Sequence, residues 1–356
     1  MANIAVGYWG FEHSLGTHIE RALRELGHQV TYVGLPTPKR PGYDQLAPLN
    51  EILSALTPAP ELYLWIDPAG PYFPTGIEDL PIPTACYLVD VHLGAWRTQV
   101  ARFFDTVFVA QQRYLDTYRS ALHHEQIYWL PLAAAPELYT PGLPRIYDVG
   151  FVGSMTRAHH NTPRAQRLKL IQQRYRTNDW THGYSPTEMG NIYSQSRTVV
   201  NISVNGDVNM RLFEGAMCGA LVLTDAATNG LDDLFHTGQE IVPYGDDNDL
   251  MTKLDYYLSH EDERAHIAQA GQQRARSEHT YAQRAGMMVG SLTSPTFKQL
   301  APMRHTSESE RWAARREVYT HLHMLDALLN DARARGESPI KRAYHALPCL
   351  ARRIMI

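Results

Sequence analysis

The chain has 356 residues, 44% hydrophobic and 20% charged, with a formal net charge of −4; it can bury two cores of ordinary domain size, and its acidic balance argues against a general nucleic-acid role. No apolar run reaches the roughly 18 residues of a membrane-spanning helix. The three cysteines, Cys86, Cys218 and Cys349, lie far apart in apolar surroundings, which argues against a disulfide framework or a zinc cluster.

The opening MANIAVGYWG enters a strand directly, with no basic leader before an apolar core, so a cytoplasmic protein is expected. Asn3 to Gly7 is that strand. The loop Gly7-Tyr-Trp-Gly10 follows, then an amphipathic helix from Ser14 to Leu26 closed by Gly27, and a second strand over His28 to Gly34. This opening is Rossmann-like, yet it lacks G-x-G-x-x-G and no acid ends the second strand, so dinucleotide binding is disfavoured. The loop, with Gly7, Trp9, Gly10 and His13, is instead expected to form one wall of a cleft.

After a Pro-rich surface stretch to Pro48, strands at Leu62 to Ile66 and Thr84 to Val89 each end in an acid, Asp67 and Asp90. The loop over 68–83 between them is long enough to serve a function of its own. Polar groups at the carboxyl end of a parallel strand project to where α/β folds bind ligands, which makes Asp90 and His92 the acid/base candidates of this half. The plainer reading is an Asp capping the next helix and a surface His. Strands at Thr106 to Ala110 and Ile127 to Leu130 flank a helix at Gln112 to Leu122, and four prolines in 131–144 then mark a domain boundary.

The second half restarts the alternation. A strand at Tyr147 to Val152 ends in Gly153-Ser154-Met-Thr-Arg157, where Gly153 lets backbone approach a ligand and Arg157 is placed to meet a phosphate. Trp180-Thr-His182-Gly183-Tyr184 offers backbone and an aromatic for a base, and Ser185-Pro-Thr-Glu188 is a capping box that starts the next helix. The stretch VVNISVNGDVNMRLFEGAMCGALVLTD (199–225) is a β-loop-α-β unit: strand, loop at 204–209, helix from Met210 to Cys218, a Gly219 stop and a second strand. Unpaired N–H groups and the dipole make such a helix start an anion site, with Asp207 or Asn209 as cap. Arg211 and Glu214 share its loop-end face, one cation for phosphate and one carboxylate for paired hydroxyls.

Helices follow at Asn248 to His260 and Glu261 to Ala275, and the run from Arg274 to Met288 closes this domain. Glu308 to Arg335 is expected as one long amphipathic helix with Trp312, Val318, Leu322, Leu325 and Leu329 on its apolar side. Residues 301–356 hold ten Lys/Arg against six Asp/Glu, a charge of +4 that leaves −8 for the rest.

Residues 147–290 resemble the C-terminal half of GT-B glycosyltransferases, and within them the CgeB-like group related to the GT4 family. The likeness is carried by YDVGFVGS (147–154), the Asn-x-Arg-x-Phe-Glu core of NMRLFEGAMCGALVLTD (209–225), LDDLFHTGQEIVPY (231–244) and the stretch from Asp249 through AGQQRARSEHTY (270–281). PTACYLVDVHLG, FFDTVFVAQQRYL and YWLPLAAAPELYTP extend it into the first half. The resemblance implies two Rossmann-like β/α/β domains facing a cleft: an acceptor-side domain at 1–140, a nucleotide-sugar domain at 145–290 and a helical extension at 291–356. It also implies that Glu214 binds the donor ribose, that the Gly206 to Asn209 loop faces the sugar and diphosphate, and that Gly153 and Arg157 lie in the diphosphate loop. One departure stands out: GT4 relatives carry a further Glu eight positions before the first, and here that position is Gly206, beside Asp207.

The expected activity is transfer of a sugar from a nucleotide-diphosphate donor to a hydroxyl acceptor, without a metal or other cofactor, and with retention on the GT4 likeness. A departing diphosphate is stabilised by a helix N-terminus with Arg157 and Arg211, and no Asp-x-Asp ends a strand. Two other readings are a nucleotide-sugar epimerase of the same fold and a degenerate transferase that binds a partner. The basic tail from Lys341 admits peripheral contact with an anionic membrane. Donor base, acceptor and oligomeric state are not encoded in any feature named above.

Overall fold

Short apolar strands alternating with amphipathic helices produce two parallel-sheet units. The computed structural model describes residues 1–10, 14–44, 46–68, 70–153, 163–225 and 229–354. One unit comprises residues 1–130 and 284–356, the other 131–283.

The first unit carries β1 (Asn3–Gly7), α1 (Leu15–Glu25), β2 (Gln29–Tyr32), α2 (Leu49–Ser54), β3 (Leu62–Ile66), β4 (Thr84–Leu88), α3 (Arg97–Ala101), β5 (Thr106–Val109), α4 (Leu115–Leu122) and β6 (Ile127–Trp129). The six strands are parallel, in the order β2-β1-β3-β4-β5-β6. Every residue of β3 and β4 is buried, as befits strands covered on both faces. The order reverses at β1, so the carboxyl ends of β1 and β3 mark the switch point at which such sheets open a crevice.

The second unit contains β7 (Tyr147–Gly150), α5 (Pro163–Arg174), α6 (Pro186–Ser194), β8 (Ser196–Asn201), α7 (Met210–Met217), β9 (Leu221–Asp225), α8 (Leu231–Leu234), β10 (Val242–Tyr244), α9 (Asp247–Ser259) and α10 (Glu261–Glu278). Its sheet is parallel, in the order β10-β9-β8-β7. Val149 of β7 pairs with Thr198 of β8 and, on its other side, bridges Thr177. The chain thus turns to one flank of β7 and then to the other, which makes the carboxyl end of β7 the switch point of this unit. Phe151, Trp180, Val200, Leu223 and Tyr244 belong to its core.

From α11 (Tyr281–Leu292) the chain continues into α12 (Glu308–His321), α13 (Leu325–Ala334) and α14 (Pro339–Ile354). Two sequence expectations change here. The single helix over 308–335 is broken, because His323 adopts φ 57° and the amides of His323 and Met324 bond back to the Thr320 and Tyr319 carbonyls. That is a Schellman stop made without the usual glycine. Nor are residues 291–356 a separate extension: Met303, Trp312, Val318, Tyr319 and Leu328 share one core with Trp65, Phe73, Phe103 and Phe104.

A buried carboxylate fastens this return. Asp105, fully buried, accepts bonds from Thr84 N and Oγ1, from Ala301 N and from Arg304 Nε and Nη2, the last two at 3.0 Å. Removing the guanidinium leaves that charge without its counterion, which typically costs about 3 kcal/mol or more. Arg304→Ala is therefore expected to lower the unfolding free energy of the whole chain by about 3 kcal/mol in urea titrations. A loss below about 1 kcal/mol would mean that apolar contacts alone hold the segment.

Candidate functional site

The β8-loop-α7-β9 unit forms as its local signals dictate. Asn209 caps α7 by accepting the Arg211 amide at 3.2 Å, and Gly219 ends it at φ 70°. Asp207, the alternative cap, turns the other way, and its carboxylate accepts the Val204 amide and draws the loop closed. Asn205 and Gly206 take left-handed conformations inside that turn, at φ 54° and 73°. On the β9 side the Asp225 carboxylate holds the Ser203 amide and hydroxyl. The loop facing the helix start is thus fixed by side chains of its own unit.

Two guanidinium groups converge on Gly153. A Cβ placed there would lie 2.7 Å from Arg164 Nη2 and 2.7 Å from Arg211 Nη2, so the two nitrogens stand no further apart than twice that distance. Both guanidiniums lie over the Phe151 ring, at 4.4 Å for Arg211 and 5.2 Å for Arg164. The ring is held in turn, because Asn178 accepts the Phe151 amide and donates to its carbonyl. Arg211 is anchored through Nε to the Val152 carbonyl and through Nη1 to Asn201 Oδ1, both at 3.0 Å. Burial, and then the Arg211 charge, lower the Arg164 pKa. Among the described residues neither guanidinium forms an ion pair with a carboxylate, and Arg164 Nε is buried with no hydrogen-bond partner. Paired guanidiniums that form no direct ion pair among these residues, and feel Asp207, Asp225 and Glu214 only through longer-range charge, form a receptor for an anion with several oxygens.

Sequence reasoning passed over Arg164. The signal was present nonetheless, since Arg164 occupies the first turn of α5, where a cation opposes the helix dipole and an acid is usual. Arg211 stands likewise in a first turn that holds no acid. The predicted Ser154 and Arg157 lie outside the described residues. His182 and Gly183 are exposed, and Tyr184 packs edge-on against His182 while donating to the Asp179 carbonyl at 2.8 Å.

Glu214 lies on the same helix, 3% exposed, with the Tyr139 hydroxyl hydrogen-bonded to its carboxylate. Burial pushes its pKa up to about 7, against the pull of Tyr139 and Arg211. A carboxylate expected to meet ribose hydroxyls is, in this structure, occupied by a tyrosine 75 residues upstream.

The first unit places its candidates differently. Tyr8 packs on the start of α1, where a Cβ at Gly16 would come within 2.2 Å of its ring, and its hydroxyl donates to Glu20 at 2.5 Å. Glu20 also binds Arg40 in bidentate fashion and Arg24. Ring and ion cluster fill the position that a dinucleotide diphosphate would need, in keeping with the missing glycine pattern. Gly7, at the end of β1, abuts the hydroxyls of Tyr63 and Tyr72, Trp9 lies against Gly70, and the Gly10 amide donates to Tyr32 Oη. His13 lies outside the described residues.

Asp90 begins a 3-10 turn over Val91–Leu93 without capping it through its side chain. His92, half-buried within that turn, has a buried Nδ1 with no partner. At the neighbouring strand end, Asp67 pairs with Arg97 at 2.6 Å in full burial, yet its Oδ1 also lacks a partner. Sequence reasoning noted Asp67 as a strand-end acid and assigned it no role. Among the described residues no group of three or more His, Cys, Asp or Glu side chains is arranged to hold a metal ion, and no helix is long and apolar enough to cross a membrane.

Residues 151–290 match the family model described as glycosyl transferase-like. No curated protein matches the sequence. Among solved structures, sucrose-phosphate synthase from Thermosynechococcus elongatus aligns at 15% identity over 81% of this chain and 98% of its own, with a TM-score of 0.55. HepE from Anabaena, in complex with UDP and glucose, aligns at 13% over 83% and 100%, with a TM-score of 0.56. A UDP-N-acetylglucosamine 2-epimerase candidate from Listeria monocytogenes aligns at 12% over 82% and 96%, with a TM-score of 0.52. At such identities the likeness establishes the fold, that of the GT-B proteins, which agrees with the class expected from the sequence.

The Glu214 proton gives a pH signature. Its folded pKa of about 7 exceeds the ordinary 4.5, so between these values the unfolded chain has released a proton that the folded chain keeps, and stability falls as pH rises through this window. The shift corresponds to about 3 kcal/mol, fully present below about pH 4.5 and lost above about pH 7. Glu214→Gln keeps a hydrogen-bonding group and removes the titration. Urea unfolding of the ligand-free protein at several pH values across the window is expected to show a shallower decline for the variant, and parallel profiles would place the perturbed group elsewhere.

Proposed function

We propose that the chain is a glycosyltransferase of the CgeB-like group related to GT4, moving a sugar from a nucleoside-diphosphate donor to a hydroxyl acceptor. The observation that carries this reading is the convergence of Arg164 and Arg211 on Gly153, at the start of a capped helix, inside the region that matches a glycosyl transferase-like model. The donor diphosphate takes the two guanidiniums, and the ribose hydroxyls take the Glu214 carboxylate once it is ionised. The sugar C1–O bond to the diphosphate breaks with its electron pair leaving on the phosphate oxygen, and a bond from the acceptor oxygen to C1 forms. Charge gathered on the leaving group is met by fixed cations and helix amides, so no metal is required. Retention of anomeric configuration is inferred from the GT4 likeness. His92 is assigned to the acceptor, as the group that takes its hydroxyl proton, with Asp90 beside it in sequence. Uridine is the first base to test, since HepE binds UDP.

A thermal-shift panel of UDP, GDP, ADP, dTDP and CMP, with and without Mg²⁺, tests the donor site, because only a ligand of the folded state raises the midpoint. One diphosphate is expected to stabilise regardless of metal, and Arg164→Ala or Arg211→Ala to weaken it roughly 10- to 100-fold, the loss of one or two charge-assisted bonds. Indifference to all five nucleotides would remove the donor site and with it the transferase reading.

Transfer itself is followed with the donor so identified and a panel of hydroxyl acceptors. His92→Ala is expected to slow transfer by about 100-fold or more while leaving the donor dissociation constant unchanged. Undiminished transfer would dismiss His92 as the base. Conversion of the donor to its epimer without acceptor would replace the transferase reading with that of an epimerase.

A further inference from the structure

The last helix presents an apolar face to solvent. α14 packs on α12 and α13 through small residues, with Ala346 and Cys349 buried. Ile340, Tyr344 and Leu347 are 83%, 71% and 61% exposed, the last two at the rim of a groove shared with Glu310 and Glu317 of α12, and Leu350 adds 41%. Spaced at i, i+4 and i+7, the first three form one stripe, joined by exposed Ala343 and Ala351. A terminal helix that merely closes a core has the reverse distribution, with its large apolar residues inside.

Charge is segregated onto the same segment. Residues 301–338 balance six Lys/Arg against six Asp/Glu, so the +4 of the C-terminal region lies wholly in residues 339–356, where Lys341, Arg342, Arg352 and Arg353 stand with no acid. The remaining chain carries −8. A segment whose sequence holds four cations and no acid, and whose helix carries an outward apolar stripe with a tyrosine, fits an interface with apolar depth and negative charge.

We infer that α14 docks the protein on an anionic membrane surface, Ile340, Tyr344 and Leu347 entering the headgroup boundary and the basic residues meeting lipid phosphates. A second copy of the chain fits less well. Two copies meeting through α14 would bring two acid-free +4 segments together, and four side chains of one helix fall short of the roughly 800 Å² that each partner of a stable interface contributes. The inference is independent of the proposed reaction.

Co-sedimentation of the full chain with vesicles tests it, using phosphatidylcholine alone and phosphatidylcholine with about one-third phosphatidylglycerol. Binding is expected to the anionic vesicles only and to weaken as salt is raised. The variant I340Q/Y344Q/L347Q, altered only at exposed positions, is expected to keep the wild-type melting temperature and lose binding by about tenfold or more. K341Q/R342Q/R352Q/R353Q should lose the preference for anionic lipid. A chain that stays in the supernatant with both vesicle types overturns the inference, as does a triple variant that binds like wild type. A concentration-dependent dimer that the triple variant abolishes, seen without vesicle binding, assigns the face to a second copy and overturns it equally.

Discussion

A cation in the first turn of a helix works against the helix dipole, by about 0.3–1 kcal/mol. The second unit does this twice around one point, with Arg164 at the start of α5 and Arg211 at the start of α7. The surrounding structure serves that arrangement. Asn178 pins the Phe151 backbone so that the ring lies beneath both guanidiniums, Asn201 and Val152 hold Arg211 in place, and Gly153 leaves the space that a Cβ would occupy. Each part comes from a different segment of the switch point at β7. Two like charges brought together without a direct ion pair among the described residues raise the local potential, and an oxyanion is the ligand that relieves it.

The first unit opens with the same β-loop-α arrangement and resolves it in the opposite way. There the helix start is covered by Tyr8, and the cations nearby, Arg24 and Arg40, both bond directly to one buried carboxylate, Glu20. Guanidinium donors committed to Glu20, to the Tyr8 hydroxyl and to the Val30 carbonyl are less available to a phosphate. Among the buried polar atoms that this unit leaves without a partner, Asp67 Oδ1 and His92 Nδ1 lie further along its sheet on adjacent strand ends. Buried polar atoms without partners are few in native proteins, and their place at strand ends suits hydrogen bonding to a polar ligand. Two related openings therefore differ in chemistry through whether their cations bond a carboxylate directly, a more discriminating feature than the shared topology.

Features encoded by neighbours in the chain were legible in the sequence. The boundaries of the β8-loop-α7-β9 unit fall within two residues of expectation because Asn209 and Gly219 are local start and stop signals. The capping box at Ser185 formed as written, its serine accepting the Glu188 amide and the glutamate reaching back to the Ser185 amide. Where the cause is tertiary, legibility ended. The break at His323 uses no glycine, so periodicity ran through it. The joining of residues 301–334 to the first core depends on Asp105 and its partner Arg304, 199 positions apart. Tyr139 over Glu214 is likewise a long-range contact, invisible to a reading that treats each motif in its own window. Arg164 is the intermediate case: its position opposed a known helix preference, and that opposition was the readable sign.

On the proposed function, the burial of Glu214 has a consequence for how donor binding and ionisation are linked. Two effects compete. Ribose hydroxyls donating to the carboxylate favour its charged form, each such bond contributing about 1.5–3 kcal/mol. The diphosphate adds negative charge nearby, which favours the neutral form, but its charge is largely met by the two guanidiniums before it reaches Glu214, and the Coulomb remainder falls with both distance and effective dielectric. Contact hydrogen bonds therefore prevail over partly neutralised charge, and the donor draws Glu214 toward ionisation. In the free protein the Tyr139 hydroxyl supplies a lesser version of the same stabilisation, too weak to reverse the burial that holds the pKa near 7. On the proposed function, the carboxylate titrates near neutral pH in the free protein and completes its ionisation with its ligand, so that part of the cost of burying an anion is met when the groups that satisfy it arrive.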